Sequence, residues 1–151
     1  MSFWNSLKIG ASGLAAQRLR LDVISNNIAN ANTTRTAQGG PYQRQDVVFT
    51  SGARSFLPAL AAARGGQAAD PQLLSSGVQV AKIVTDTTPG AQVYDPHNPD
   101  ANAQGYVTYP NVDLATEMTN MVSATRSYEA NLASIQAAKN MALKALDIGT
   151  K

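Results

Sequence analysis

The strongest constraint in this sequence is a repeat towards its C-terminal end. Leu114, Met118, Met121, Thr125, Tyr128, Leu132, Ile135, Lys139, Ala142 and Leu146 follow one another at alternating steps of four and three, and only Thr125 and Lys139 are poor seam residues. The spacing predicts a helix with one apolar side. Asp113 is placed to accept from the free N–H groups of its first turn, and Gly149 to close its end. At about 1.5 Å per residue the stretch from 114 to 146 runs for roughly 50 Å, longer than a small domain is wide, so such a helix needs a long partner.

Residues 4 to 31 offer one. Leu7, Leu14, Leu21 and Ile28 recur every seven residues, with Ile24 and Ala31 at the second seam position. Gly10 and Gln17 hold that second position earlier on, so the stripe is narrow there and suits close approach of another backbone. The stretch closes in "SNNIANANTT", with Asn26, Asn27, Asn30 and Asn32. Asparagine lowers helix propensity because its short amide competes for backbone hydrogen bonds, so a cluster at this point needs a reason.

The middle differs in texture. "YQRQDVVF" (42 to 49) and "GVQVAKIV" (77 to 84) are rich in β-branched residues and read as short strands, the second with Val78, Val80 and Val84 on one face. Between them, the Ala/Gly-rich residues 57 to 77 read as a mobile loop. Residues 89 to 113 hold Pro89, Pro96, Pro99 and Pro110 among Asp and Asn, a composition that predicts ordered turns rather than regular structure. The expected fold class is mainly α with a small β-containing middle. Its N- and C-terminal helices pack as an antiparallel, coiled-coil-like pair beside a short hairpin or irregular region. In domain terms, 1–33 is an axial helix ending in the Asn-rich motif, 34–113 a β-containing middle, and 114–151 a second axial helix packing with the first.

Composition narrows the function. With 151 residues, 6% aromatic, the chain builds only a modest core by itself, and other chains are expected to supply part of the burial. A formal charge of +2 argues for neither nucleic acid nor a membrane surface as partner. Basic residues concentrate before residue 45 (Lys8, Arg18, Arg20, Arg35, Arg44 against Asp22), and acidic ones between 45 and 113. The arginines read as a solvated face or as inter-subunit partners. Without cysteine there are no disulfides and no thiolate metal sites. The start "MSFWNSLKIGASGLAAQ" lacks the charged and unbroken apolar regions of a cleavable signal, and no apolar run is long enough to span a bilayer. The expectation is a cytosolic protein, or one exported with its N-terminus intact.

Chemistry is sparse. His97 stands beside Asp95 and Asp100 in "YDPHNPD", a set able in principle to hold a metal or share a proton, but within one proline-bracketed turn it reads as capping of backbone groups. There is no G-x-S-x-G elbow and no phosphate-binding glycine motif, and "NTT" at 32 to 34 is a triplet short enough to arise by chance. The expected catalytic, cofactor-binding and metal residues are therefore none.

Two blocks carry a resemblance. "SGLAAQRLRLDVISNNIANANT" (12 to 33) resembles the N-terminal signature of bacterial flagellar rod, hook and hook-associated proteins. "VYDPHNPDANAQGYVTYPNVDLATEMTNMVSATRSYEANLASIQAAKNMALKAL" (93 to 146) is similar to the C-terminal part of the proximal-rod members of that family. The resemblance implies a structural, non-enzymatic subunit of the basal-body rod. Such a subunit is exported without cleavage by the flagellar type III apparatus and polymerises in the periplasm into a helical, torque-transmitting tube. Implied partners are further copies, other proximal and distal rod proteins, the membrane-ring adaptor and the export apparatus, with no nucleic acid, membrane insertion or cofactor. Expected helix-packing and subunit-interface residues are Leu7, Leu14, Leu21, Ile24, Asn26, Asn27, Ile28, Asn30, Met118, Met121, Tyr128, Leu132, Ile135 and Leu146. The asparagines are expected to bond to neighbouring backbones and set register between subunits, the alternative being that they merely end the helix and start a turn. The competing reading is a coiled-coil adaptor or export-chaperone-like protein that does not polymerise.

Overall fold

The computed structural model describes residues 3–51 and 77–149; the expected mobile loop lies, but for Gly77, outside them. In chain order the elements are α1 (Phe3–Ala29), β1 (Gln45–Ser51), β2 (Val78–Thr85), β3 (Gln92–Tyr94), β4 (Tyr106–Thr108) and α2 (Leu114–Gly149). The described chain is mainly helical, its terminal helices pack against each other, and the strands are short.

Local chemistry sets the helix ends. Asp113 Oδ1 accepts from Ala115 N–H at 3.0 Å and Oδ2 from the Thr116 hydroxyl at 2.6 Å, which satisfies first-turn donors of α2. These bonds, the Thr116 hydroxyl first and the Ala115 amide next, hold the Asp113 carboxyl below the usual carboxylate range. Its capping is thus complete at neutral pH and fades as pH falls through the lowered value. At the end of α1 an asparagine replaces the usual glycine. Asn30 donates to the Asn26 carbonyl through both its backbone N–H (3.1 Å) and its side-chain Nδ2 (2.9 Å), and accepts from the Thr33 hydroxyl at 3.2 Å.

Strand β1 pairs with β2, and β3 pairs with β4 antiparallel, in register Gln92 to Thr108, Val93 to Val107 and Tyr94 to Tyr106. The second hairpin corrects the expectation of turns alone between 89 and 113. Its strands are three residues each, and the prolines fall in the flanks, where no ladder donor is needed.

The chain forms two compact units: residues 1–18, 49–81 and 126–151, and residues 19–48 and 82–125. In the first, Gly10 lies against Ile135 and Gly13 against Asn131, so α1 and α2 run antiparallel there. In the second, Val23, Ile24, Val47, Val107 and Ala124 are buried around two fully buried polar residues, Asn27 and Glu117.

The covered row of α2 is Glu117, Met121, Ala124, Tyr128, Asn131, Ile135, Ala138 and Ala142, all buried or half-buried. It shares Met121, Tyr128, Ile135 and Ala142 with the expected seam. The alternate positions sit one residue earlier, so Leu114, Met118, Thr125, Leu132, Lys139 and Leu146 are exposed. Close packing explains the offset. A Cβ on Gly10 would stand 2.7 Å from Ile135 Cγ1, and one on Gly13 2.9 Å from Asn131 Nδ2, leaving room only for small or hydrogen-bonding side chains in alternate places. Gly10→Ala is therefore expected to destabilise by about 1 kcal/mol in urea melts, overpacking of about 1–3 kcal/mol outweighing a propensity gain of about 1 kcal/mol. Adding Ile135→Val, which removes Cδ1 at 3.0 Å but keeps the carbon at 2.7 Å, should restore only part of the loss.

Candidate functional site

In the unit formed by 19–48 and 82–125, one buried side chain joins three segments. Asn27 has no solvent exposure and uses every polar atom it has. Its Nδ2 donates to the Gln45 carbonyl at 2.8 Å and to Glu117 Oε2 at 3.1 Å. Its Oδ1 accepts from the Tyr42 hydroxyl at 2.8 Å and from Gln45 N–H at 3.0 Å. An amide carries two donors and about two acceptor sites, so the account closes.

Glu117, also without exposure, is the second member. Its Oε1 accepts from Arg44 Nε at 2.8 Å, and Arg44 Nη1 also lies 3.6 Å from Asp46 Oδ2. A carboxylate removed from water is costly unless paired and hydrogen-bonded, and here it is both. The neighbours register its charge. Burial pushes the Tyr42 phenol up and the Glu117 charge adds to it. Burial works against the Arg44 cation but is outweighed by the hydrogen bond and charge of Glu117, then by Asp46, so its affinity for its proton rises. Asn111 completes the frame: Oδ1 accepts from Arg44 N–H at 2.9 Å and Nδ2 donates to the Asp86 carbonyl at 3.2 Å, while Asp86 N–H donates to the Arg44 carbonyl at 2.8 Å.

This arrangement fixes one alignment of α1, the residues leading into β1, and α2, because no shifted alignment satisfies all of these groups. It has no nucleophile beside a base. Of the residues singled out by sequence, the structure buries Ile24 and Asn27 and half-buries Leu7, Leu14, Leu21, Ile28, Asn30, Met121, Tyr128 and Ile135. Asn26 and Leu132 are exposed, Met118 is 53% exposed and Leu146 65%. The partners found for Asn27 and Asn30 are within the chain. Tyr42, Arg44, Asn111 and Glu117 were not singled out. For Glu117 the signal was present: it falls in step with Ala124, Asn131 and Ala138, seven apart, a row that a search for large apolar residues passes over.

The His97 turn is used structurally. Asp95 Oδ1 accepts from His97 N–H at 3.3 Å. Asp100 Oδ2 accepts from the Thr34 hydroxyl at 2.7 Å, and its Oδ1 lies 3.6 Å from Arg35 Nη1. Among the described residues no group of three or more His, Cys, Asp or Glu side chains is placed to hold a metal ion.

Comparison with known proteins bears on the same segments. A family model described as "Flagella basal body rod protein" matches residues 7–35, which include Asn27. Another, "Flagellar basal body rod FlgEFG protein C-terminal", matches residues 103–148, which include Glu117. The chain is 46% identical to the flagellar basal-body rod protein FlgC of Bacillus subtilis, with 99% of each chain covered. It is 42% identical to that of Borreliella burgdorferi over 98% of each, and 40% identical to that of Salmonella typhimurium over 99% of each. Similarity at this level along the whole chain, with most of both helices inside the matched segments, means that the protein belongs to the FlgC family of flagellar basal-body rod proteins.

Proposed function

We propose that the chain is a structural subunit of the flagellar basal-body rod, built into the proximal part of that shaft, where it carries motor torque. The similarity to FlgC proteins over nearly the full chain is the observation that carries this reading. The α2 surface supports it: Leu114, Met118, Leu132, Leu143 and Leu146 are exposed on a helix whose other flank already meets α1. Isolated exposed apolar residues are ordinary, but a row of them at helical spacing suits further helices. In this proposal Met118, Leu132 and Leu146 face neighbouring subunits, while Leu7, Leu14, Leu21 and Ile28 flank the contact within the chain. The partners are other copies, other rod proteins and the ring adaptor at the base, reached in the periplasm after export by the flagellar type III apparatus. No helix among the described residues is long and apolar enough to cross a membrane.

The test is deletion of the gene followed by complementation. Expected are non-motile cells whose basal bodies lack a rod, restored by the wild-type chain and not by Met118→Asp combined with Leu146→Asp. Motile cells after deletion, or a chain that remains a discrete dimer or trimer and never enters basal bodies, would sink the reading.

A further inference from the structure

Charge is not shared evenly between the two compact units. The unit formed by 1–18, 49–81 and 126–151 carries eight lysines and arginines against three carboxylates, a net of +5. The unit formed by 19–48 and 82–125 carries four against seven, a net of −3. A formal charge of only +2 for the whole chain thus conceals a basic unit and an acidic one.

Pairing within the chain does not consume these charges. The ion pairs among the described residues, Arg35 with Asp100 and Arg44 with Asp46 and Glu117, all lie inside the acidic unit. Among the described residues, Asp22, Asp95 and Asp113 of that unit are left without a cation in contact, and Lys8, Arg126 and Lys139 of the basic unit, all exposed, without a carboxylate. Asp95 and Asp113 accept hydrogen bonds from their own turns, which fix these charges in place without neutralising them.

This pattern selects among partners. A polyanion or an anionic surface attracted by the basic unit is repelled by the acidic one, and a polycation meets the reverse. A second copy offers both signs. Copies side by side in register set +5 against +5 and −3 against −3, whereas copies displaced by one unit set +5 against −3. Salt screens charges beyond about 8 Å at physiological ionic strength, so the preference acts where surfaces touch. Apolar area is available there too: Leu132 and Leu146 are exposed in the basic unit, Leu114 and Met118 in the acidic one.

We infer that copies of this chain associate head-to-tail, the basic unit of one seated on the acidic unit of the next, with Lys8, Arg126 and Lys139 on one side of the contact and Asp22, Asp95 and Asp113 on the other. An antiparallel pair would match the same charges but close on itself. The inference rests on the rod-subunit reading, which selects the open arrangement, and it names the surfaces that meet within it.

Exchange of signs tests the contact. One variant carries Lys8→Glu, Arg126→Glu and Lys139→Glu, which takes the basic unit to −1; the other carries Asp22→Lys and Asp95→Lys, which takes the acidic unit to +1. Asp113 is left alone because it caps α2. Each variant is expressed singly, and then both together, in cells lacking the wild-type chain, and the amount of chain in purified basal bodies is measured. Singly, each is expected to fall about tenfold or more below wild type, and together they should return to within about twofold of it, because each then meets its opposite in the other. Recovery in the mixture also shows that both variants fold. Wild-type amounts from either variant alone would overturn the inference, and so would a mixture no better than its members when urea melts show both folded. Should either set unfold the chain, Lys139→Glu and Asp22→Lys, both at exposed positions, replace the sets and are read in the same way. Those outcomes leave the rod-subunit reading standing. A wild-type chain that never enters basal bodies would count against that reading and the inference together.

Discussion

Arg44→Ala is expected to lower stability by about 3 kcal/mol, among the largest losses open to a single substitution in this chain. Removing the guanidinium leaves Glu117 as a charge without exposure and without a cation, and breaking a buried pair from one side costs about 3–5 kcal/mol. The lower end applies because the Arg44 side chain keeps 23% of its exposure, so water can reach the vacated place. Replacing both partners tells more. In Arg44→Met with Glu117→Leu no charge remains buried, and the double variant should be more stable than Arg44→Ala, its residual loss reflecting the one Asn27 N–H that loses its acceptor while the other keeps the Gln45 carbonyl. Urea melts of the two single variants and the double give the coupling directly. Additive losses would mean that the pair contributes nothing jointly.

Asn27→Asp should do comparable harm through a different cause, and acid should relieve it. Where the amide NH₂ now donates to Glu117 Oε2 and to the Gln45 carbonyl, the substituted side chain presents an oxygen, setting two carboxylates together where neither side chain has solvent exposure. At neutral pH the expected loss is about 3 kcal/mol, near that of Asn27→Ala or beyond it. A single proton shared by the two carboxylates restores one hydrogen bond. The folded variant therefore holds that proton to higher pH than its unfolded chain does, so its stability rises as pH falls towards the carboxylate range and drops as pH climbs through it. Asn27→Ala has no such proton to hold. Melts of both variants at several pH values check this, and parallel pH profiles would show that Glu117 does not govern the site.

How much of this was open to sequence reading depends on what kind of signal each part leaves. Both long helices were legible because apolar spacing persists over many turns, and the Asp113 cap because a carboxylate just before such a run has one common use. The β3–β4 hairpin was not, since three-residue strands leave too few positions for alternation to show. The α2 contact row was read one residue off in alternate positions. Large apolar residues mark a seam when helices stand apart, but here Gly10 and Gly13 come close to Ile135 and Asn131, and small or polar residues such as Asn131 and Ala138 take covered positions. The poor fits at Thr125 and Lys139 were the trace of that error. Asn27 stood out by its company, whereas Arg44 and Glu117, 73 positions apart, announce nothing until the fold brings them together.

Two apolar surfaces in contact resist separation but offer little against sliding, because a displaced arrangement buries nearly the same area. The Asn27–Glu117 contact behaves otherwise. Movement along α2 by a single residue, about 1.5 Å, would carry Glu117 away from both Arg44 and Asn27 while opening no new partner for any of them. The pair thus acts as a key in a keyway, giving α1 and α2 within the unit formed by 19–48 and 82–125 a resistance to shear that apolar burial alone does not supply.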